Sequence, residues 1–382
     1  MDGMSRREFL KRAGIIALAV PFSTSFLAAC GRVATAVNST GKTGNAGPYK
    51  LTWVSPRGTL KVEDDYAQTI ALKMGYFKEL NVDPNFQGGP LQATAATKML
   101  VTNQADMAYP SPGVLATSVQ AGEPIISVFD ITESDSFVFM VRPNSPIKSI
   151  QDLAGKKIAL GDAGWSVICD PIFKVNGINP KSVQYVAAGS DWGQTVQEGK
   201  ADAALCWQGL VAQWKGVGLN LRPIEHLTPF PGNSYVVRKS DLQDPAKKQG
   251  IANFLKAIAM GLEWGKYNVR GISQLSLERF PSLKKQMTPK IAVESALEMV
   301  QVNDGPGVAA HGWGYHIPSS WAKYVTTLQE LGQLNSSTNA TGLYTNELIQ
   351  EVNNFDHKRV QQDAANFKLS PEFASVKLSG LT

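Results

Sequence analysis

At 382 residues, 43% hydrophobic and 18% charged, the chain has the size and balance of a globular protein with room for two domains. Its formal charge of +5 becomes +3 once residues 1–29 are set aside, because that segment holds four Lys or Arg and two Asp or Glu. The remaining charge is spread without blocks, which gives no case for a nucleic-acid partner.

The first thirty residues read as a targeting segment. Ser5-Arg6-Arg7-Glu8-Phe9-Leu10-Lys11 matches the twin-arginine export pattern and precedes an apolar run from Ala13 to Val20. Leu27-Ala28-Ala29-Cys30-Gly31 reads as a bacterial lipobox, in which small residues admit the peptidase and the Cys30 thiol receives diacylglycerol. A membrane-spanning helix is the competing reading, but Pro21 and Ser23-Thr24-Ser25 interrupt the run well short of the roughly 20 apolar residues a span needs. Residues 1–29 are therefore expected to be a signal peptide, and 30–49, rich in Gly, Ala, Ser, Thr and Asn, a flexible tether. The expected location is the periplasm or cell surface, with the membrane engaged through the lipid on Cys30.

Beyond the tether, strand-like and helix-like runs alternate twice over, the pattern of parallel sheets covered by helices on both faces. Leu51–Ser55, Val82–Gln87, Asp106–Tyr109 and Ile125–Asp130 read as strands, separated by helical stretches near 65–80, 90–104 and 112–121. The second set is Lys157–Leu160, Val183–Ala187, Ala203–Cys206 and Leu221–Ile224, with helices near 165–176, 191–199 and 208–215. Asn103-Gln104-Ala105-Asp106-Met107-Ala108 is echoed by Gly199-Lys200-Ala201-Asp202-Ala203-Ala204 at the same place in each set. Extended runs at Ser136–Val141 and Ser234–Arg238 read as two crossings between lobes. Helices near 245–268, 271–279, 289–301, 318–333 and 344–356 are expected to pack on the first lobe. The division is thus 50–140 plus 235–382 for lobe one and 141–234 for lobe two. Cys169 and Cys206 could form a disulfide or stay as two buried thiols; spacing leaves both open.

Four stretches resemble one family: Ala71-Leu72-Lys73-Met74-Gly75-Tyr76-Phe77-Lys78-Glu79-Leu80-Asn81-Val82, Asn103-Gln104-Ala105-Asp106, Ile150-Gln151-Asp152-Leu153-Ala154-Gly155-Lys156-Lys157-Ile158-Ala159, and Leu343-Tyr344-Thr345-Asn346-Glu347-Leu348. They are similar to the NMT1/THI5-like substrate-binding proteins of nitrate, sulfonate, taurine and thiamine-precursor importers. The likeness spans about residues 50–355. It implies an α/β type II periplasmic-binding-protein fold, two doubly wound lobes joined by a two-strand hinge. It also implies a monomer that closes on one small-molecule ligand, without a cofactor, and docks on an ABC permease with its ATPase.

In open α/β sheets, ligands bind beyond the carboxyl ends of the strands, where loops and helix N-termini offer donors. The corresponding loops put Arg57, Gly89, Tyr109 and Ser111 forward from lobe one, and Trp165, Ser166, Trp192 and Trp207 from lobe two. Gly89 would allow close backbone approach, although plain turn chemistry explains it equally well. Arg57 is the one basic residue in these loops, so a fully charged anion would depend on helix dipoles and amide donors, whereas a ring finds stacking partners. The favoured ligand is a planar aromatic or heterocyclic nutrient; nitrate, sulfonate or taurine-like anions are the alternative. The family often carries an acid after Trp207, where this chain has Gln208.

Two other classes compete. The fold group includes thiamine-pyrimidine synthases, but their cysteine-rich motif is missing here, and His226, His311, His316 and His357 fall outside the cleft loops. No hydrolase elbow, Walker loop or metal-ligand spacing is visible, so no catalytic or metal site is expected. A sensory module would use the same cleft and the same anchor.

Overall fold

Alternating apolar runs capped by Gly, Pro and Asn do build two open sheets. The computed structural model describes residues 47–377 apart from 225 and 227, so the export signal, Cys30 and nearly all of the expected tether lie outside the described residues. The strands are β1 (Tyr49–Ser55), β2 (Val82–Gly88), β3 (Met107–Ala108), β4 (Ile125–Asp130), β5 (Phe137–Val141), β6 (Lys157–Leu160), β7 (Gln184–Ala187), β8 (Ala203–Trp207), β9 (Arg222–Ile224) and β10 (Ser234–Arg238). One sheet runs β2-β1-β3-β10-β4 and the other β7-β6-β8-β5-β9. In each, a single strand runs antiparallel to its neighbours, β10 between β3 and β4, and β5 between β8 and β9. The two sheets therefore share one topology, and the antiparallel strand in each is the one that the chain contributes on its way between them.

Helices α1 (Tyr66–Met74), α2 (Tyr76–Glu79), α3 (Ala95–Val101) and α4 (Pro112–Gln120) belong with the first sheet, and α5 (Ser166–Val175), α6 (Trp192–Gln197) and α7 (Gln208–Gly216) with the second. The stretch near 65–80 divides because Gly75 takes a left-handed φ of 80° and closes α1. After β10 come α8 (Pro245–Tyr267), α9 (Val269–Arg279), α10 (Pro289–Asn303), α11 (Pro306–His311), α12 (Pro318–Glu330), α13 (Ile349–Val352), α14 (His357–Ala365) and α15 (Pro371–Ala374). The expected helix at 344–356 shrinks to α13, and α11, α14 and α15 lie outside the expected set, α11 and α15 being too short to show a period.

The sequence echo has a common structural cause. Asn103 and Gly199 both take positive φ, 58° and 77°, to turn out of α3 and α6. Asp106 then accepts from the Thr52 amide at 2.9 Å, as Asp202 accepts from the Lys157 amide at 2.9 Å. The open carbonyls at each turn meet an arginine from the antiparallel strand's end. Arg238 donates to Leu100 and Ala105, both at 2.7 Å, and Arg142 to Val196 and Ala201 at 2.8 and 3.3 Å.

The late family motif closes the outer edge of the first sheet. The Ser127 amide donates to the Leu343 carbonyl at 2.8 Å and the Thr345 amide to the Ser127 carbonyl at 2.9 Å, which covers β4. Asn346 clasps His316, accepting from its amide and its Nδ1 at 2.9 Å each and donating to its carbonyl at 3.0 Å. With Nδ1 so engaged, Nε2 accepts from the Ser127 hydroxyl at 2.6 Å. Burial pushes His316 down to about 3, so this ring is a neutral core member.

Three expectations change. β5 and β10 are not themselves the crossings, because each pairs within a sheet along its length; the chain crosses at 131–136 and returns by way of 228–233. The divisions at 140 and 234 thus fall at or within strands. The later helices also do not all sit on the first lobe: α8 packs on α1, but α10 packs on α7 and α12 on α5. The apolar face of α12 joins the cluster that holds Phe139 and Phe173, whereas α10 keeps its buried apolar residues in the first lobe's cluster and meets α7 beside them, a choice that periodicity alone does not encode. Cys169 and Cys206 are both buried free thiols.

Arg238 is 9% exposed and also pairs with Asp241 at 2.7 Å and Asp106 at 3.2 Å. Arg238→Met should lower stability by about 3–5 kcal/mol, since it leaves buried acceptors and a carboxylate unpaired. Urea unfolding measures this, and Arg142→Met, whose arginine lacks the carboxylate partners, should cost less.

Candidate functional site

The carboxyl ends of β1, β3, β4, β6 and β8 converge with the starts of β5 and β10 on one cavity of about 60 Å³ between the sheets. On the same measure one water takes ~10–15 Å³, so the space suits a compact ligand. Of the eight residues put forward from sequence, five line it: Arg57, Tyr109, Ser111, Trp165 and Trp207. Gly89, Ser166 and Trp192 do not.

Their positions have local reasons. A Cβ at Gly89 would lie 2.4 Å from the Ser55 carbonyl oxygen, so the glycine serves the close β1–β2 exit. Ser166 opens α5 one residue beyond the cavity wall. Trp192 lies behind the wall, edge-on to Trp165 at 5.5 Å and stacked on Trp207 at 6.1 Å. Its Nε1 donates to the Leu205 carbonyl at 2.7 Å, which holds it as a buried support for the two tryptophans that line the cavity.

Other lining residues were not evident from sequence. Asp64 is one; Trp207 Nε1 donates to its Oδ2 at 2.6 Å, joining the lobes across the cavity. The acidic run Glu63-Asp64-Asp65 was a usable signal, since adjacent acids opening an apolar helix are costly unless paired. Thr132, Ser136 and Asn233 come from the crossings, and Met299 from α10; nothing in their local sequence marks them, because only tertiary packing brings them in.

Arg57 is 10% exposed at its side chain and is held by two carboxylates, a direct bond from Nη2 to Asp65 and an approach of Nη1 to Asp64 at 3.9 Å. Burial alone would lower its pKa, but Asp65 and Asp64 more than offset this and hold the guanidinium charged. Asp64 is raised, mainly by burial, with Arg57 opposing. Burial likewise raises Tyr109 well above the usual phenol range, so it stays neutral, with the Arg57 guanidinium 5.4 Å above its ring. Arg57 is the one Lys or Arg lining the cavity among the described residues, and its charge is matched twice. None of the four histidines lines it.

The NMT1/THI5-like family profile matches residues 67–268, more than half of the chain. The chain belongs to the NMT1/THI5-like family. No curated protein sequence matches it. Among solved structures, the periplasmic nitrate-binding protein NrtA from Synechocystis PCC 6803 is similar at 12% identity, covering 85% of this chain and 99% of that one, TM-score 0.60. The alkanesulfonate-binding protein SsuA from Xanthomonas axonopodis pv. citri, bound to MOPS, matches at 11% identity over 78% and 99%, TM-score 0.60. A ligand-binding component of an ABC-type import system from Staphylococcus aureus, with zinc bound, matches at 12% over 80% and 99%, TM-score 0.58. A desulfurization enzyme, DSZB, shares the fold at TM-score 0.51. At these identities the likeness establishes the two-lobed periplasmic-binding-protein fold.

Glu63, beside Asp64, is buried, and that burial pushes it up to about 8 against an ordinary 4.5. The folded state thus keeps a proton that the unfolded chain releases. The resulting stability is full below the ordinary value and is lost as pH rises toward the folded one. Glu63→Gln should therefore flatten the fall in urea midpoint between about pH 5 and about pH 8. A wild-type-like slope in the variant would show that another group carries it.

Proposed function

We propose that this chain is an extracytoplasmic solute-binding lipoprotein, which captures a compact, planar aromatic or heterocyclic nutrient and presents it to an ABC permease and its ATPase. The observation that carries the reading is the cavity wall. Trp165, Trp207, Tyr109 and Phe137 supply ring surface from both lobes, while the single lining cation is already neutralised by Asp64 and Asp65. An anion there would meet the Asp64 carboxylate on the wall and a guanidinium already bonded to Asp65 behind it, an electrostatic cost that a neutral or cationic ring avoids. That argues against carrying nitrate or alkanesulfonate over from the similar structures. The small volume also favours a single ring over a flavin-sized ligand.

Membership of a family related to importer components supports delivery to a permease, and the two-lobed fold supplies two states for one to sense. The twin-arginine and lipobox motifs support export followed by acylation at Cys30.

Binding is tested by tryptophan fluorescence with a panel of single-ring heterocycles. A ring that stacks on Trp165 should quench emission, and Trp165→Ala should weaken binding about tenfold or more, since a stacked pair contributes ~0.5–1.5 kcal/mol beyond the buried area. Tight binding of nitrate or a short alkanesulfonate, with no ring bound, would overturn the choice of ligand.

Export is tested separately by fractionation. Arg6→Lys with Arg7→Lys should hold the protein inside the cell, and Cys30→Ala should release it from the membrane. Unchanged export or anchoring would reject the corresponding motif.

A further inference from the structure

Buried polar groups in folded proteins almost always find a partner, so those that do not call for a reason. Several of the exceptions here gather where the chain crosses between sheets. Thr132 is 2% exposed, yet its Oγ1 has no hydrogen-bond partner among the described residues, and the same holds for Oδ1 of Asn233. Both residues line the cavity. Thr132 follows β4 by two residues and Asn233 immediately precedes β10, so one stands on each crossing.

The crossings are bound to each other at this point. The Ile131 amide donates to the Asn233 carbonyl at 3.1 Å, and the Asp135 amide to the Phe230 carbonyl at 3.2 Å. Gly232 lies so close to Thr132 that a Cβ there would come within 1.5 Å of Oγ1. The two side chains thus sit on a paired ribbon that faces the ligand space.

We infer that Thr132 and Asn233 read the polar edge of the ligand, with Asn233 Oδ1 accepting from a ring N–H or amino group and the Thr132 hydroxyl completing the contact. This deepens the function proposed above and rests on it. It adds a demand that stacking alone does not make, because the occupant must carry a hydrogen-bond donor. It also sets the recognition contacts on the segments whose backbone changes when the lobes move, so that the bound ring and the hinge share the same residues.

The test uses two probes of one shape, 2-aminopyrimidine with its donor and pyrimidine without it, titrated by tryptophan quenching. Wild type should favour the amino compound by about tenfold or more, because an unmet buried acceptor penalises the analogue that lacks the donor. Thr132→Val and Asn233→Leu should each shrink that ratio toward one. The apo protein gives the second readout: a hydroxyl kept for a ligand contributes nothing without it, so Thr132→Val should leave the thermal midpoint unchanged or raise it. If the ratio survives in both variants, or if Thr132→Val lowers apo stability while discrimination is kept, the two residues are structural and the inference is wrong. Should one variant not fold, the other decides. Equal binding of both rings by wild type rejects this inference alone, whereas binding of neither rejects the proposed ring ligand with it.

Discussion

A guanidinium buried between two carboxylates governs what the space between the sheets can hold. Arg57 is the cation that the family's anion-binding members would lead one to look for, but Asp65 bonds it directly and Asp64 flanks it. Either acid alone would match the guanidinium charge, and adding an anion would set three negative groups around one positive one. Asp64 is held in turn by Trp207 from the opposite lobe, so the ion cluster on the cavity wall is also tied across the cavity.

Behind that cluster the aromatic residues form two ranks. Trp165 and Trp207 meet the ligand space, and Trp192 with Trp214 stands behind them, the latter pair 5.4 Å apart and edge-on. Rings in the second rank are anchored by packing and by the Trp192 bond to Leu205, which fixes the first rank in place before any ligand arrives. Such preorganisation lowers the ordering cost of binding, since little side-chain freedom remains to be lost.

Much of this was legible from residue order, and the limits are instructive. Both strand sets appear within two residues of their expected bounds, because β-branched runs flanked by Gly, Pro and Asn have few other uses in an α/β chain. The cleft loops also follow from topology, which is why Arg57, Tyr109, Ser111, Trp165 and Trp207 could be named. Gly89 and Trp192 were named for the same reason and lie elsewhere: the loop after a strand is specified, but not which of its side chains turns inward. Asp64, Thr132, Asn233 and Met299 escaped altogether. Each reaches the cavity through tertiary geometry, from a helix entry, two crossings and a distant helix.

Those late helices also bear on how the lobes can move. A pure two-strand hinge would let the second lobe swing freely about 131–136 and 228–233. Here α10 lies on α7 and contributes Met299 to the cavity, and α12 packs on α5, with Trp321, Tyr324 and Leu328 in the same apolar cluster as Phe139 and Phe173. Tyr324 donates to the Val167 carbonyl at 3.2 Å, and a Cβ on Gly113 would fall 2.7 Å from both of those oxygens, so α4, α5 and α12 meet without slack. Close-packed contacts of this kind hold or break as a set and do not stretch. Opening must then either carry α12 with the second lobe or slide it as a shear along α5, and in both cases the cost is borne by apolar contacts outside the crossings. A ligand that bonds across the cavity would therefore add to contacts that already oppose opening, the packing of α12 on α5 and the Trp207–Asp64 hydrogen bond.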